Sequence, residues 1–175
     1  LFGPYQQETW QIAYNPEKLD AVETVAVFQY NRIGVEIDTL PDFYLTSAFG
    51  GRMREQVRHY TNVADAFEAM RKGEVSAVMG MRSEIDHELA KSENAMFEAA
   101  GNGFPGIGKQ VWDVGMAIKH THRQLGYALE AIIDRLVKTG EMNELMASQK
   151  LRYSVPGYYR EFLDEQAIAR AEGDL

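Results

Sequence analysis

Between residues 33 and 91 the chain alternates short β-favouring runs with helical segments, and such alternation folds into a parallel sheet carrying helices on its faces. IGVEI (33–37) is a short strand by its β-branched content. It leads through Asp38 and Thr39, either of which can cap a helix, into residues 40–49, with Pro41 in the first turn and Gly50-Gly51 closing the element. A weak strand over 56–60 precedes a helix over 63–72. Asn62 caps that helix, Val63, Ala66, Phe67 and Met70 recur on one face, and Gly73 stops it. VSAVM (75–79) is a buried strand, and residues 82–91 are helical.

Outside this block the pattern changes. TWQIAY (9–14) is a β-favouring run ended by Asn15-Pro16, and VWDVGMAIK (111–119) is a second strand beyond a glycine-rich stretch, 101–108, that cannot be regular structure. Residues 9–14 and 112–119 are expected to run side by side, flanking an α/β block over 17–108. A long amphipathic helix over 122–138 carries the stripe Leu125, Leu129, Ile132, Ile133, Leu136 and Val137; Gly140 breaks it, and 141–149 resumes as a shorter helix. Pro156-Gly157 ends that helix and leaves a polar tail with one further helix over 158–171. The stripe needs a surface that no nearby strand supplies, so a lobe of N-terminal sequence absent from this chain, a second copy or a partner protein is expected to cover it. If the chain is complete, a homodimer through the stripe is the expectation.

Composition narrows the function classes. Net charge is −8, from 26 acidic against 18 basic residues, a field that repels phosphate backbones and argues against nucleic acid as a partner. Zero cysteines exclude disulfides, zinc–thiolate sites and thiol catalysis. No apolar run approaches the roughly 20 residues that span a bilayer. The chain opens at Leu1, with no basic segment leading into a short apolar core, so it is expected to be a processed or excised piece.

Several segments in this order resemble extracellular solute-binding proteins of the type II periplasmic fold, in particular the group that includes amino-acid binders (family 3). Phe2-Gly3-Pro4-Tyr5 is similar to the Ser-x-Pro-Tyr segment that ends the first lobe, and IGVEIDT (33–39) to the strand and helix start that open the second. ADAFEAMRKGEVSAVM (64–79) resembles the family's helix–Gly–strand unit, and residues 114–118 with 125–151 its returning strand, long helix, glycine break and short helix. The resemblance, over residues 2–153, implies an α/β fold of two lobes joined by crossing hinge strands, with the first lobe incomplete. It divides the chain into the end of lobe 1 and a hinge strand (1–16), lobe 2 (17–109), a return strand with helices that pack on lobe 1 (110–155), and a tail (156–175). It implies a periplasmic, non-catalytic module holding a small solute or a protein segment in a cleft, with no cofactor.

The departures bear on the ligand. Amino-acid binders place an Asp after the strand that here ends Gly80-Met81, to pair with the ligand's ammonium group. Their Gly before Thr is Asp38, their Asp within the strand motif is Ser76, and their carboxylate-gripping Arg would lie in the absent lobe. No rise in melting temperature with any common amino acid is therefore expected. Relatives that have lost ligand residues include the accessory proteins of periplasmic quinoprotein alcohol dehydrogenases such as methanol dehydrogenase, so the partner is either such a dehydrogenase or a transporter permease. An amino-acid-binding component of an ABC transporter is the lesser alternative.

The residues themselves offer one candidate site. Thr39 stands at a helix N-terminus, where hydroxyl and backbone N–H groups hold polar ligands, and Met81 and Arg82 follow a strand's carboxyl end, where open α/β sheets bind. Asp38, Tyr5 and Trp10 complete the candidate cleft; plain capping and core packing are the competing reading. No catalytic set can be placed, and His59 and His87 stand alone. His120 and His122 form an H-x-H pair, but two ligands beside Lys119 and Arg123 are too few for a metal, so the pair is expected on the surface, capping the next helix. GFPGIGK (103–109) matches a phosphate-loop pattern, yet Gln110 replaces the magnesium-binding Ser/Thr and a strand follows where a helix should. A crossing loop is the better reading.

Overall fold

The computed structural model describes residues 1–101 and 110–173; the phosphate-loop-like segment 103–109 lies outside the described residues. The chain forms two units, one of Trp10–Gln110 and one of Leu1–Thr9 with Val111–Leu175. The first strand, β1 (Phe2–Tyr14), is longer than its apolar run and contributes to both.

In the Trp10–Gln110 unit, β2 (Ile33–Glu36), β3 (Val57–Tyr60) and β4 (Ala77–Met81) are parallel in the order β3-β2-β4, with Ile33 opposite both Val57 and Ala77. The second half of β1 lies antiparallel along β4, from Trp10↔Met81 to Tyr14↔Ala77, and β5 (Glu98–Ala99) pairs with Ala13 and Tyr14. The sheet is therefore mixed where alternation alone suggests a parallel one. β1 enters from outside the alternating block, so nothing in its local sequence sets its direction.

The period of two along the strands builds a core on each face. Ala77 and Met79 join Ile12, Ile33, Val35, Leu45 and Phe28 on one side, while Val78 joins Ala13, Val63, Phe67, Met70 and Ile85 on the other. Helix α1 (Leu40–Gly51) follows β2, and its last turn leaves helical geometry at Ala48–Gly50, where the expected glycine stop lies. Helix α2 (Val63–Arg71) is capped as read: Asn62 Oδ1 accepts from Asp65 N at 2.8 Å, and Gly73 at φ 76° ends the chain's turn beyond it. Gly34 lets α2 approach β2, since a Cβ there would lie 3.1 Å from the Tyr60 ring and 3.3 Å from Ala66 Cβ. Helix α3 (Arg82–Leu89) starts at once after β4. Of the N-terminal aromatics, Tyr14 and Phe28 are core, whereas Tyr30 is exposed.

In the other unit, β1 pairs antiparallel with β6 (Val111–Met116) through Gln6↔Val114 and Thr9↔Val111. The expected pairing of 9–14 with 112–119 is not what forms: β6 pairs with residues 2–9, Thr9 lies opposite Val111, and Trp10–Tyr14 pair with β4 and β5 instead, since the continuous β1 is longer than its apolar run. Helices α4 (Arg123–Thr139) and α5 (Glu141–Ser148) meet at Gly140, whose φ of 83° ends the first. The tail, expected to be polar with one helix, holds two: α6 (Gly157–Arg160) and α7 (Glu165–Glu172). Tyr153, Val155, Tyr159 and Ala171 from this tail form a core with Ile133, Val137 and Met142. The tail therefore covers part of the α4 stripe. Leu129 and Leu136 are half-buried, and Leu125 and Ile132 remain exposed.

Phe67, fully buried between α2 and the sheet, should lose about 3–5 kcal/mol of stability on substitution by alanine, read by urea unfolding. A paired test concerns the tail. Ile133 is 8% exposed and Ile132 47%. Ile133→Ala should cost about 2–5 kcal/mol and Ile132→Ala within about 0.5 kcal/mol. Equal losses would show that the tail is not what covers α4.

Candidate functional site

Parallel strands put their carboxyl ends at one edge, and the antiparallel β1 begins its β4 pairing there, with Trp10 opposite Met81. Five of the sequence-derived candidates meet at this edge: Asp38 and Thr39 in the turn after β2, Met81 and Arg82 at the junction of β4 and α3, and Trp10. Tyr5 belongs to the other unit, half-buried against the Ile133–Val137–Tyr159 core, and so reads as packing. Tyr44, on α1, was not legible as a site residue. Its ring lies 4.9 Å from Trp10 at 43°, and burial pushes its hydroxyl above the ordinary tyrosine range.

The turn after β2 is held by groups that sequence spacing did not connect. Thr39 is the N-cap of α1, but its hydroxyl donates to Glu36 O at 2.7 Å instead of accepting from the helix. Asp38 has φ 61°, the left-handed region that favours glycine, which accounts for the glycine at this place in the family pattern. Asp42, only 5% exposed, secures it. Its Oδ2 accepts from Asp38 N at 3.0 Å and its Oδ1 from His59 Nε2 at 2.9 Å. His59 is thus not isolated: β3 brings it against α1 from 17 positions along the chain. The Thr39-x-x-Asp42 spacing, a near capping box, was the one signal for Asp42. A buried carboxylate inside the first turn already opposes the positive end of α1, which turns this edge away from anions and toward polar or cationic groups.

Beside this pair, Ile37, His59, Tyr60, Thr61 and Asp65 line a hollow of about 270 Å³ at the ends of β2 and β3. His120 and His122 lie in a short 3-10 turn on the surface, not on a strand, and His122 occupies the N-cap of α4 without a side-chain capping bond. The strand expected over 111–119 ends at Met116. Among the described residues no group of three His, Cys, Asp or Glu could hold a metal, and no helix is long and apolar enough to cross a membrane.

Solved structures similar to this chain include binding proteins. The chain is similar to AbpA, an amino acid ABC transporter substrate-binding protein from Streptococcus pneumoniae bound to L-arginine, with TM-score 0.70 and 16% identity, covering 86% of this chain and 60% of that one. It is also similar to the solute receptor for L-cysteine of Neisseria gonorrhoeae, with TM-score 0.64, 16% identity, and 95% and 62% coverage. The arginine-, lysine-, histidine-binding protein ArtJ from Geobacillus stearothermophilus matches with TM-score 0.65, 17% identity, and 91% and 65% coverage. The fold is the α/β fold of type II periplasmic binding proteins. The chain spans about three-fifths of the length of these proteins. No protein-family model and no curated protein matches the sequence.

Asp42→Ala should leave the Asp38 N–H without its acceptor and cost about 1–3 kcal/mol. Asp38→Asn, which tolerates the same backbone, should stay within about 0.5 kcal/mol. Chemical unfolding of both variants checks the pair; equal effects would remove Asp42 from its anchoring role.

Proposed function

We propose that this chain is a non-catalytic, extracytoplasmic solute-binding module whose ligand sits at the carboxyl edge of the β3-β2-β4 sheet, held by Asp38, Thr39, Met81, Arg82 and Trp10. The Trp10–Gln110 unit corresponds in this reading to the second lobe of a periplasmic binding protein. The observation that carries it is convergence: the Trp10–Tyr44 ring pair, a helix N-cap and the residues ending β4 come from three elements, β1, α1 and β4, to one sheet edge. Open α/β sheets bind ligands at that edge. The fold neighbours, described as binders of arginine, cysteine and related solutes, support it.

The chemistry of the edge shapes the solute. Aromatic faces favour a ligand with a flat or apolar part, and the acidic turn favours a polar or cationic group over an anion. Met81 stands where amino-acid binders have a carboxylate, so an α-ammonium group has no partner there.

A second reading, docking of a periplasmic protein such as a quinoprotein alcohol dehydrogenase, draws on a different observation. Ile37, Leu40, Phe43 and Phe49 expose large apolar side chains along α1 and the turn before it. Thermal unfolding with a panel of small amines, polyols, dipeptides and common amino acids separates the two. A solute at the edge should raise the melting temperature by mass action, and Trp10→Ala should abolish the shift. Arginine, glutamine and glutamate at millimolar levels should give none. A panel that is blank throughout, with dehydrogenase binding lost on Phe43→Glu, would replace the solute reading by the docking one. Turnover in pooled hydrolase or kinase assays would overturn both.

A further inference from the structure

The unit of Leu1–Thr9 and Val111–Leu175 contains its own cavity, of about 260 Å³, bounded by the start of β1, one face of α4 and the α6 turn. Tyr127, Glu130 and Asp134 reach it from α4 at spacings of three and four, which place them on one helix face. Tyr158 and Tyr159 reach it from α6, and Gly3 closes the β1 side. The lining thus holds three phenol rings and two carboxylates, and no basic side chain. We propose that this cavity is a binding site for a small alkylated ammonium cation, with the tyrosine faces around its methyl groups and Glu130 and Asp134 supplying the counter-charge.

The rings are held in place by their neighbours. Phe2 meets Tyr127 edge-on at 5.4 Å and 89°, and Tyr158 meets Tyr159 at 5.2 Å and 82°. Phe2 can lie there because Gly126 has no side chain; a Cβ would come within 2.6 Å of its ring. Glu130 Oε1 accepts from Gly3 N at 3.3 Å, which fixes the carboxylate at the cavity wall. Glu130 and Asp134, four residues apart on one face, bring two like charges together at the wall, offset in part by Lys138 on Asp134. Two nearby cations are not among the lining residues: Lys138 Nζ donates to Asp134 at 2.9 Å, and Arg123 lies 5.9 Å from the Tyr127 ring centroid and donates to its hydroxyl at 3.0 Å. Tyr127 therefore already faces one cation. The buried Tyr159 hydroxyl is pushed up to about 12, first by burial and then by Asp134, Tyr158 and Glu130, as a negative local field requires. Ring quadrupoles present a negative face, so aromatic walls with carboxylates select a weakly hydrated organic cation over an anion or a metal ion.

The site does not depend on the edge of the other unit, and the test keeps them apart. Isothermal titration of the full chain at low salt uses tetramethylammonium chloride, with sodium chloride and the neutral tert-butanol as controls. Saturable binding of tetramethylammonium alone is expected, weakened about tenfold or more in both Asp134→Asn and Tyr158→Ala and unchanged in Trp10→Ala. Both altered side chains are substantially exposed, so circular dichroism of the two variants should match the parent. No saturable binding, binding of tert-butanol with equal affinity, or binding unaltered by both cavity variants would overturn the proposal; loss in Trp10→Ala alone would reassign the cation to the sheet edge.

Discussion

β4 lies between β1 and β2 and has no solvent face: Ala77 and Met79 enter one core cluster, Val78 the other, and Gly80 is buried between Ile85 and Val63. A strand enclosed in this way must have every backbone group paired along its length, and its register cannot slip by one residue without exchanging the two cores. Its end is therefore fixed in space. Met81 and Arg82 follow directly, α3 begins there, and Trp10 is placed opposite by the antiparallel ladder. The candidate edge inherits its rigidity from this one strand.

The turn after β2 shows how a locally strained segment is held by distant groups. Asp38 takes a backbone conformation that costs a non-glycine residue, and the buried Asp42 carboxylate holds its N–H while His59 engages the other oxygen. Two hydrogen bonds to a charged acceptor are individually stronger than neutral ones, which suits an anchor that must hold both a turn and a helix start. The arrangement leaves the Thr39 hydroxyl hydrogen donated to Glu36, with its lone pairs as the remaining polar capacity at the helix end.

The second unit solves a different problem. Its long helix carries more apolar surface than a lone helix tolerates, and the unit covers part of it with its own tail. Val155 N donates to Glu172, and Arg160 pairs with the same carboxylate, so the tail is tied to itself as it crosses Ile133 and Val137. Packing the tail against α4 also brings Tyr158 and Tyr159 to Glu130 and Asp134, and a cavity results from what is otherwise a covering device.

Local elements were legible because their signals are local. The Asn62 cap, the Gly73 stop, the glycine break at 140 and the α2 apolar face each depend on residues within a turn or two, and each stands where spacing put it. Asp38, Thr39, Met81 and Arg82 share an edge because strand ends in an alternating pattern do; Trp10, outside that pattern, is brought there by the antiparallel ladder with β4. Tyr44 and His59 were not legible, since their partners are 34 and 17 residues away and side-chain pairing at such separations leaves no periodic trace. Nor was the tail's role, because Tyr153, Val155, Tyr159 and Ala171 are spaced without a single helical or strand period. The sequence by itself determined the elements, their caps and which faces are apolar, since propensity, capping and periodicity act over a few residues. Strand direction, the covering of α4 and the pairing of Asp42 with His59 were decided only by tertiary structure, because each is a contact between segments whose spacing along the chain carries no information about their spacing in three dimensions.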